Sequence, residues 1–87
     1  MESVELPIED SIDLHSFRPQ EIASLVEEYL YQARLKGYRE VRIIHGRGAG
    51  VQRRRIHSIL HQHPHVVSFR DATDRGSTLV TLAGQST

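Results

Sequence analysis

Cysteine is absent from the 87 residues, which excludes disulfides and any thiolate-held metal. Tryptophan is absent as well, and aromatic residues make up only 6% of the chain, too few for a dedicated base-stacking platform. No apolar run approaches the ~20 residues that cross a bilayer, so no membrane partner is expected. The opening MESVELPIED has none of the features of a secretory leader, and a cytoplasmic location is the expectation. Net charge is lacking too. Eleven basic residues balance eleven acidic ones, so a uniformly basic coat cannot be the basis for holding a polyanion. A chain of this length makes one domain, expected as a monomer, and a domain so small buries only about 60% of its unfolded surface.

The charges are unevenly spread. Residues 1–13 carry Glu2, Glu5, Glu9, Asp10 and Asp13 and no base. Residues 34–55 carry Arg34, Lys36, Arg39, Arg42, Arg47, Arg53, Arg54 and Arg55 against Glu40 alone. That segment is either a polyanion-facing surface or a solvated mixed-charge one.

Alternation of apolar and polar residues predicts a strand over Ile12–His15, with Asp13 and His15 on the face opposite Ile12 and Leu14. Residues 1–9 read as an acidic arm because Pro7 interrupts their pattern, and residues 84–87 read as a tail. Ile22, Leu25, Val26, Tyr29, Leu30 and Ala33 form one helical stripe, with Pro19 at the start and Gly37 as the stop. Tyr29 lies on the stripe and belongs to the core; Tyr31 lies off it. Val41, Ile43 and Ile44 predict an interior strand from Glu40 to His45. A second helix runs from Val51 to about His63, with Ile56, Ile59 and Leu60 facing inward and Pro64 ending it. Strands Val66–Arg70 and Thr78–Leu82 follow, joined by a hairpin loop. The order is β-α-β-α-β-β, an α/β domain over residues 10–83. It is a four-stranded mixed sheet whose right-handed crossovers put both helices on one face.

The loop His45-Gly46-Arg47-Gly48-Ala49-Gly50 joins a strand to a helix start. There glycines permit close backbone approach, and unpaired N–H groups with the helix dipole favour anions. Its spacing fits neither a dinucleotide fingerprint nor a nucleotide P-loop; the plain alternative is a turn. Arg53, Arg54 and Arg55 then crowd the first turn of the helix, where cations are each unfavourable by roughly 0.3–1 kcal/mol before screening. A bound polyanion would offset that repulsion, although arginine is also simply a good helix former. Phosphate contacts are accordingly expected from Gly46, Arg47, Gly48, Gly50, Arg53 and Arg54.

His15 and His45 each end a predicted parallel strand, at the sheet edge where open α/β sheets receive ligands. Histidine as a residue type suits proton transfer near neutral pH, so either could serve, with Asp13 placed to orient an imidazole. The alternative is a pair of polar strand-end residues. His57 and His61 share a spacing of four on the solvent side of the second helix, while His63 turns inward. These and His65 read as solvated helix-end histidines more readily than as metal ligands, since the Glu of a zinc-peptidase helix is missing.

Ile12-Asp13-Leu14-His15 resembles the Leu-Asp-Leu-His motif of Smr (small MutS-related) domains, and His45-Gly46-Arg47-Gly48 resembles their His-Gly-Lys/Arg-Gly motif, with Gly50 completing Gly-x-Gly. His15 makes the chain similar to the free-standing group. The resemblance covers roughly residues 10–83. It implies a two-layer sandwich similar to the C-terminal domain of translation initiation factor three, and DNA binding, often with nicking endonuclease activity; related plant organelle domains act on RNA. It also implies that Asp13, His15, His45, Gly46, Arg47 and Gly48 are the functional positions. A DNA nicking endonuclease, with RNA as the less favoured substrate, is the leading expectation. A binding module that grips phosphate without cutting comes second, and a protein-interaction domain third. No cofactor is expected to be required. A divalent metal remains an open addition, because the site offers one carboxylate where two-metal nucleases need several ligands.

Overall fold

A computed structural model describes residues 9–48, 50–74 and 76–84. The arm, apart from Glu9, and residues 85–87 of the tail lie outside the described residues. Six elements follow in order: β1 (Ser11–Asp13), α1 (Pro19–Leu35), β2 (Glu40–Ile44), α2 (Val51–Gln62), β3 (Val66–Asp71) and β4 (Ser77–Leu82). They form a four-stranded sheet in the order β1-β2-β4-β3. β1 and β2 are parallel, and β4 is antiparallel to both β2 and β3. β3 therefore runs parallel to β2, one strand removed. Both crossovers step across the sheet in the same direction, so right-handedness places α1 and α2 side by side on one face. The expected α/β layout, mixed sheet and element order are all present.

α1 starts as its sequence requires. Pro19 takes the first helical position, and the Glu21 carboxylate accepts the Arg18 N–H at 3.0 Å, satisfying a donor the helix cannot. Its stripe Ile22, Val26, Tyr29, Leu30 and Ala33 is buried, and Tyr31 is exposed. The Tyr29 hydroxyl donates to the Glu9 carbonyl, so its burial leaves no orphan donor. Gly37 ends the helix at φ +88°, a left-handed turn that a side chain would strain. Ile56 and Leu60 of α2 close over Val41, Ile43, Val80 and Leu82, completing the core with Leu14. Each such Leu or Ile contributes about 1.5–3 kcal/mol over an exposed placement.

Alternation along the strands gives the sheet two chemically different faces. Val41, Ile43, Thr78, Val80 and Leu82 are buried beneath the helices. Asp13, Arg42 and Ile44, at the alternate positions, belong to the uncovered face. The first two strands stop earlier than the alternation implies. β1 ends at Asp13 because its carboxylate accepts the N–H of His15 two residues on, a side-chain turn that takes the chain off the edge. β2 ends at Ile44 because the N–H groups of both His45 and Gly46 converge on the Gly76 carbonyl, where a regular ladder would use one.

Candidate active site

Asp13 and His15 form a pair at the carboxyl end of β1. Oδ1 of Asp13 lies 2.5 Å from Nδ1 of His15 and also accepts the His15 backbone N–H. The hydrogen bond from His15 holds the Asp13 carboxyl below the usual carboxylate range. Both side chains are about half exposed. With Nδ1 turned to the carboxylate, Nε2 is the ring nitrogen left for a ligand. The pair abuts the glycine loop: a Cβ added at Gly46, which sits at φ +86°, would meet the His15 Cβ at 3.3 Å. Any side chain at this position would combine a strained backbone with a tight contact against the base of the His15 side chain.

Beyond that contact lies a concavity of about 100 Å³ with Gly46, Gly48, Gly50, Gln52 and Arg53 among its walls. Gly50 caps α2 in the left-handed conformation at φ +84°, and the first helical bond runs from the Arg54 N–H to the Gly50 carbonyl. The N–H groups of Val51 and Gln52 thus have no intrahelical acceptor, the arrangement that receives anions. The Gly46 amide does not join them: it is committed to Gly76. This departs from the expectation that Gly46 helps hold phosphate, because the convergence on Gly76 turns its amide to the β4 side instead. Gln52 Oε1 is buried without a hydrogen-bond partner, and its amide nitrogen reaches the Phe17 carbonyl at 3.5 Å. Phe17 is an exposed aromatic next to this wall.

The arginines divide. Arg53 makes a two-pronged ion pair with Asp71 at 2.7 and 2.6 Å, which lowers the Asp71 pKa and raises that of Arg53. This carboxylate, on β3, relieves one of the three cations that α2 carries in its first turn. Arg54 lies elsewhere, with Arg55, in a groove between the helices that Pro19, Ala23, Val51 and Ile59 also line. Neither has an ion pair among the described residues. Arg47 is exposed and donates to the Asp74 carbonyl at 3.2 Å. Asp74 in turn clips the β3–β4 loop to β2: its side chain takes Arg42 at 2.8 Å, the Gly76 N–H and the Ser77 hydroxyl. The Gly76 bond, then the Ser77 bond, lower its pKa.

His45 is at the same sheet edge as His15, as expected, but in a different setting. Its side chain goes under the helices: the residue is 4% exposed, with Nε2 3.0 Å from the Thr78 hydroxyl and Nδ1 3.0 Å from the Gly46 carbonyl. His57 corrects the helix-wheel reading of a solvated residue. It points inward, 2.8 Å from the same Thr78 hydroxyl, edge-on to Phe69 and 3.7 Å from Asp71. Burial, then Arg53, lower its pKa. The wheel missed this because β3 rises beside α2 beyond the width of the Ile56–Leu60 stripe. His61 is exposed. His63 is half-buried, its pKa lowered by burial and then by His65. Among the described residues no group of three or more His, Asp and Glu side chains is arranged to hold a metal ion. Thr78 and Asp71 carried no chemical signal in the sequence; they become visible only through the β3–β4 register, which pairs them.

A two-layer α/β domain with an Asp–His pair against a glycine loop at a helix start is the class that fold and site define together. The family model for the Smr domain matches residues 12–83, and the chain belongs to that family. It is 42% identical over 79 residues to Endonuclease MutS2 of Caldicellulosiruptor bescii, and 40% identical over 79 residues to that of Halalkalibacterium halodurans. Each alignment covers 86% of this chain, which spans about a tenth of the length of these relatives. Among solved structures, the crystal structure of the Smr domain of Thermus thermophilus MutS2 superposes with a TM-score of 0.79 at 33% identity, covering 83% of this chain and 95% of that one. YdaL of Escherichia coli, a stand-alone small MutS-related protein, superposes with a TM-score of 0.81 at 25% identity, covering 88% and 66%.

Proposed function

We propose that this chain is an endonuclease domain that nicks DNA, with RNA the alternative substrate. The observation that carries the reading is the Asp13–His15 pair set directly against the glycine loop. The two relatives above that are named Endonuclease MutS2 support it. A phosphate of the backbone seats against the amides at the start of α2, with Arg53 and Arg47 at its rim. Asp13 holds His15 through Nδ1, so Nε2 takes a proton from the attacking water as the new P–O bond forms and gives it to the leaving sugar oxygen as the old P–O bond breaks. The helix start and arginine charge stabilise the extra negative charge as the leaving oxygen departs. Asp13 and His15 thus carry proton transfer. His45, sealed beneath the helices, shapes the loop. Arg54, across the helix, extends the grip along the strand.

A second reading, a module that grips phosphate without cutting, is favoured by the burial of His45, which withdraws one of the two imidazoles expected to share proton transfer. Incubation with supercoiled plasmid and with structured RNA, each with and without EDTA, separates the two. The endonuclease reading expects open-circular plasmid from the parent and none from His15→Ala. Equal nicking by His15→Ala and Asp13→Ala would overturn it. Binding without nicking would establish the module.

A further inference from the structure

The Thr78 hydroxyl stands between two imidazoles, 3.0 Å from Nε2 of His45 and 2.8 Å from Nε2 of His57. A hydroxyl has a single proton to give, so the two contacts cannot be of the same kind for neutral rings unless the hydroxyl accepts both. The far end of the chain decides. Nδ1 of His45 faces the Gly46 carbonyl, which only accepts, so Nδ1 carries the ring proton. Neutral His45 then has a bare Nε2, to which Thr78 donates. The Thr78 oxygen in turn accepts from Nε2–H of His57. The Gly46 carbonyl at one end and the Thr78–His57 contact at the other thus act together to give every proton between them one direction.

We propose that His57 and Thr78 are positioning residues of the phosphate-binding loop. They lock His45 in its Nδ1–H form, and so fix the Gly46 carbonyl and the path of the glycines that follow. The functional consequence rests on the reading of the loop as the seat of a nucleic-acid phosphate; the tautomers do not. The surroundings suit a neutral His57. It faces Arg53 on its own helix, Asp71 and Phe69 on β3, His45 at the end of β2 and Thr78 on β4. Asp71, engaged by both prongs of Arg53, favours a proton on the imidazole, but burial and the Arg53 charge outweigh it. A proton added to Nε2 of His45 would make Thr78 the acceptor of both rings and leave its own proton without the His45 acceptor, so the direction of the chain would be lost.

The test reads the imidazole nitrogens of the parent domain by NMR near pH 7.5, beside Kd for a short DNA duplex. The expected spectrum has His45 protonated at Nδ1 and His57 at Nε2. His45 protonated at Nε2 alone would overturn the proposal. Thr78→Val should release the His45 tautomer and weaken duplex binding about tenfold, the scale of one broken buried hydrogen bond. Thr78→Ser should restore both. His57→Gln, which keeps an N–H at the Thr78 oxygen, should bind as the parent does, whereas His57→Leu should behave like Thr78→Val. A structural role alone would not distinguish these pairs by tautomer. Parent-like binding by both Thr78→Val and His57→Leu would overturn the proposal. A parent that binds duplex and never nicks would end the nuclease reading, while the spectrum and Kd still decide this one.

Discussion

A single oxygen of Asp13 serves His15 twice: Oδ1 accepts the backbone N–H at 3.0 Å and faces Nδ1 of the ring at 2.5 Å. The first contact ends the strand and the second orients the imidazole, so the same atom makes the turn and the candidate base. Because its partner lowers the Asp13 pKa below the ordinary 3.8, this carboxylate stays ionised throughout the neutral range. An acid limb in the nicking rate between about pH 5 and 8 therefore belongs to an imidazole. His15→Ala is expected to reduce plasmid nicking about 10²- to 10⁴-fold, the usual contribution of a positioned general base. Asp13→Asn should act in the same direction, with duplex Kd unchanged within a few-fold. Parent-like rates for both variants would remove the pair from the mechanism.

Arg53 is contested. Asp71 engages both prongs of its guanidinium, and a phosphate would need the same donors. Asp71→Asn should tighten duplex binding several-fold at low salt by freeing Arg53. Arg53→Ala combined with Arg54→Ala should flatten the dependence of log K on log salt by about two units, at ~0.9 for each phosphate no longer neutralised. A slope that does not move would show that these arginines are surface only. A change of about one unit, traced to one single variant, would locate the strand on that side of α2.

What the sequence disclosed follows from which interactions are local. The stripe from Ile22 to Ala33 and the alternation of β2 and β4 report burial at fixed period, so both helices, the order of the elements along the chain and most of the core were legible. Pairing of Asp13 with His15 was legible from their spacing of two, although the contact is made by a side-chain turn at the end of β1 and not by a shared strand face. Three features were not. The early end of β1 comes from a side-chain turn, which alternation does not register. The commitment of the Gly46 amide depends on Gly76, thirty positions away. The inward turn of His57 depends on Thr78 and Asp71, which reach it only when β4 inserts between β2 and β3. Each is a hydrogen bond between polar groups, and polar groups carry no periodic signature.

The glycines of the loop are not equivalent, and alanine substitutions should rank them. Gly50 has φ +84° with open space where a Cβ would go, so Gly50→Ala carries only backbone strain, about 1–2 kcal/mol. For a domain of this size that is roughly 4–8 °C of Tm per kcal/mol. Gly48 has neither a positive φ nor a neighbour within 4 Å, and Gly48→Ala should melt with the parent. Gly46 combines φ +86° with the His15 Cβ at 3.3 Å, so Gly46→Ala should lower Tm and also displace the imidazole. Melting curves and nicking rates together check the order. If Gly48→Ala proved the most destabilising of the three, this loop conformation would be wrong.

Acid should destabilise the fold through histidines before it reaches the carboxylates. His57 has its pKa lowered from 6.5 by burial and then by Arg53, and His63 by burial and then by His65. On acidification the unfolded chain therefore takes up these protons first. Their contribution to stability is complete above about pH 6.5 and is lost as pH falls through the lowered folded values. Asp13, Asp71 and Asp74 are also lowered, from 3.8, so their contribution starts to be lost later on acidification, as pH falls through the carboxylate range. Tm is expected to fall between about pH 7 and 5. His57→Gln should reduce the size of that fall, whatever it does to Tm at pH 7. His61→Gln, at an exposed position on the same helix, serves as the matched control. A parent whose Tm stays level across that range would mean that these two rings accept protons as readily in the fold as out of it, which their burial does not permit.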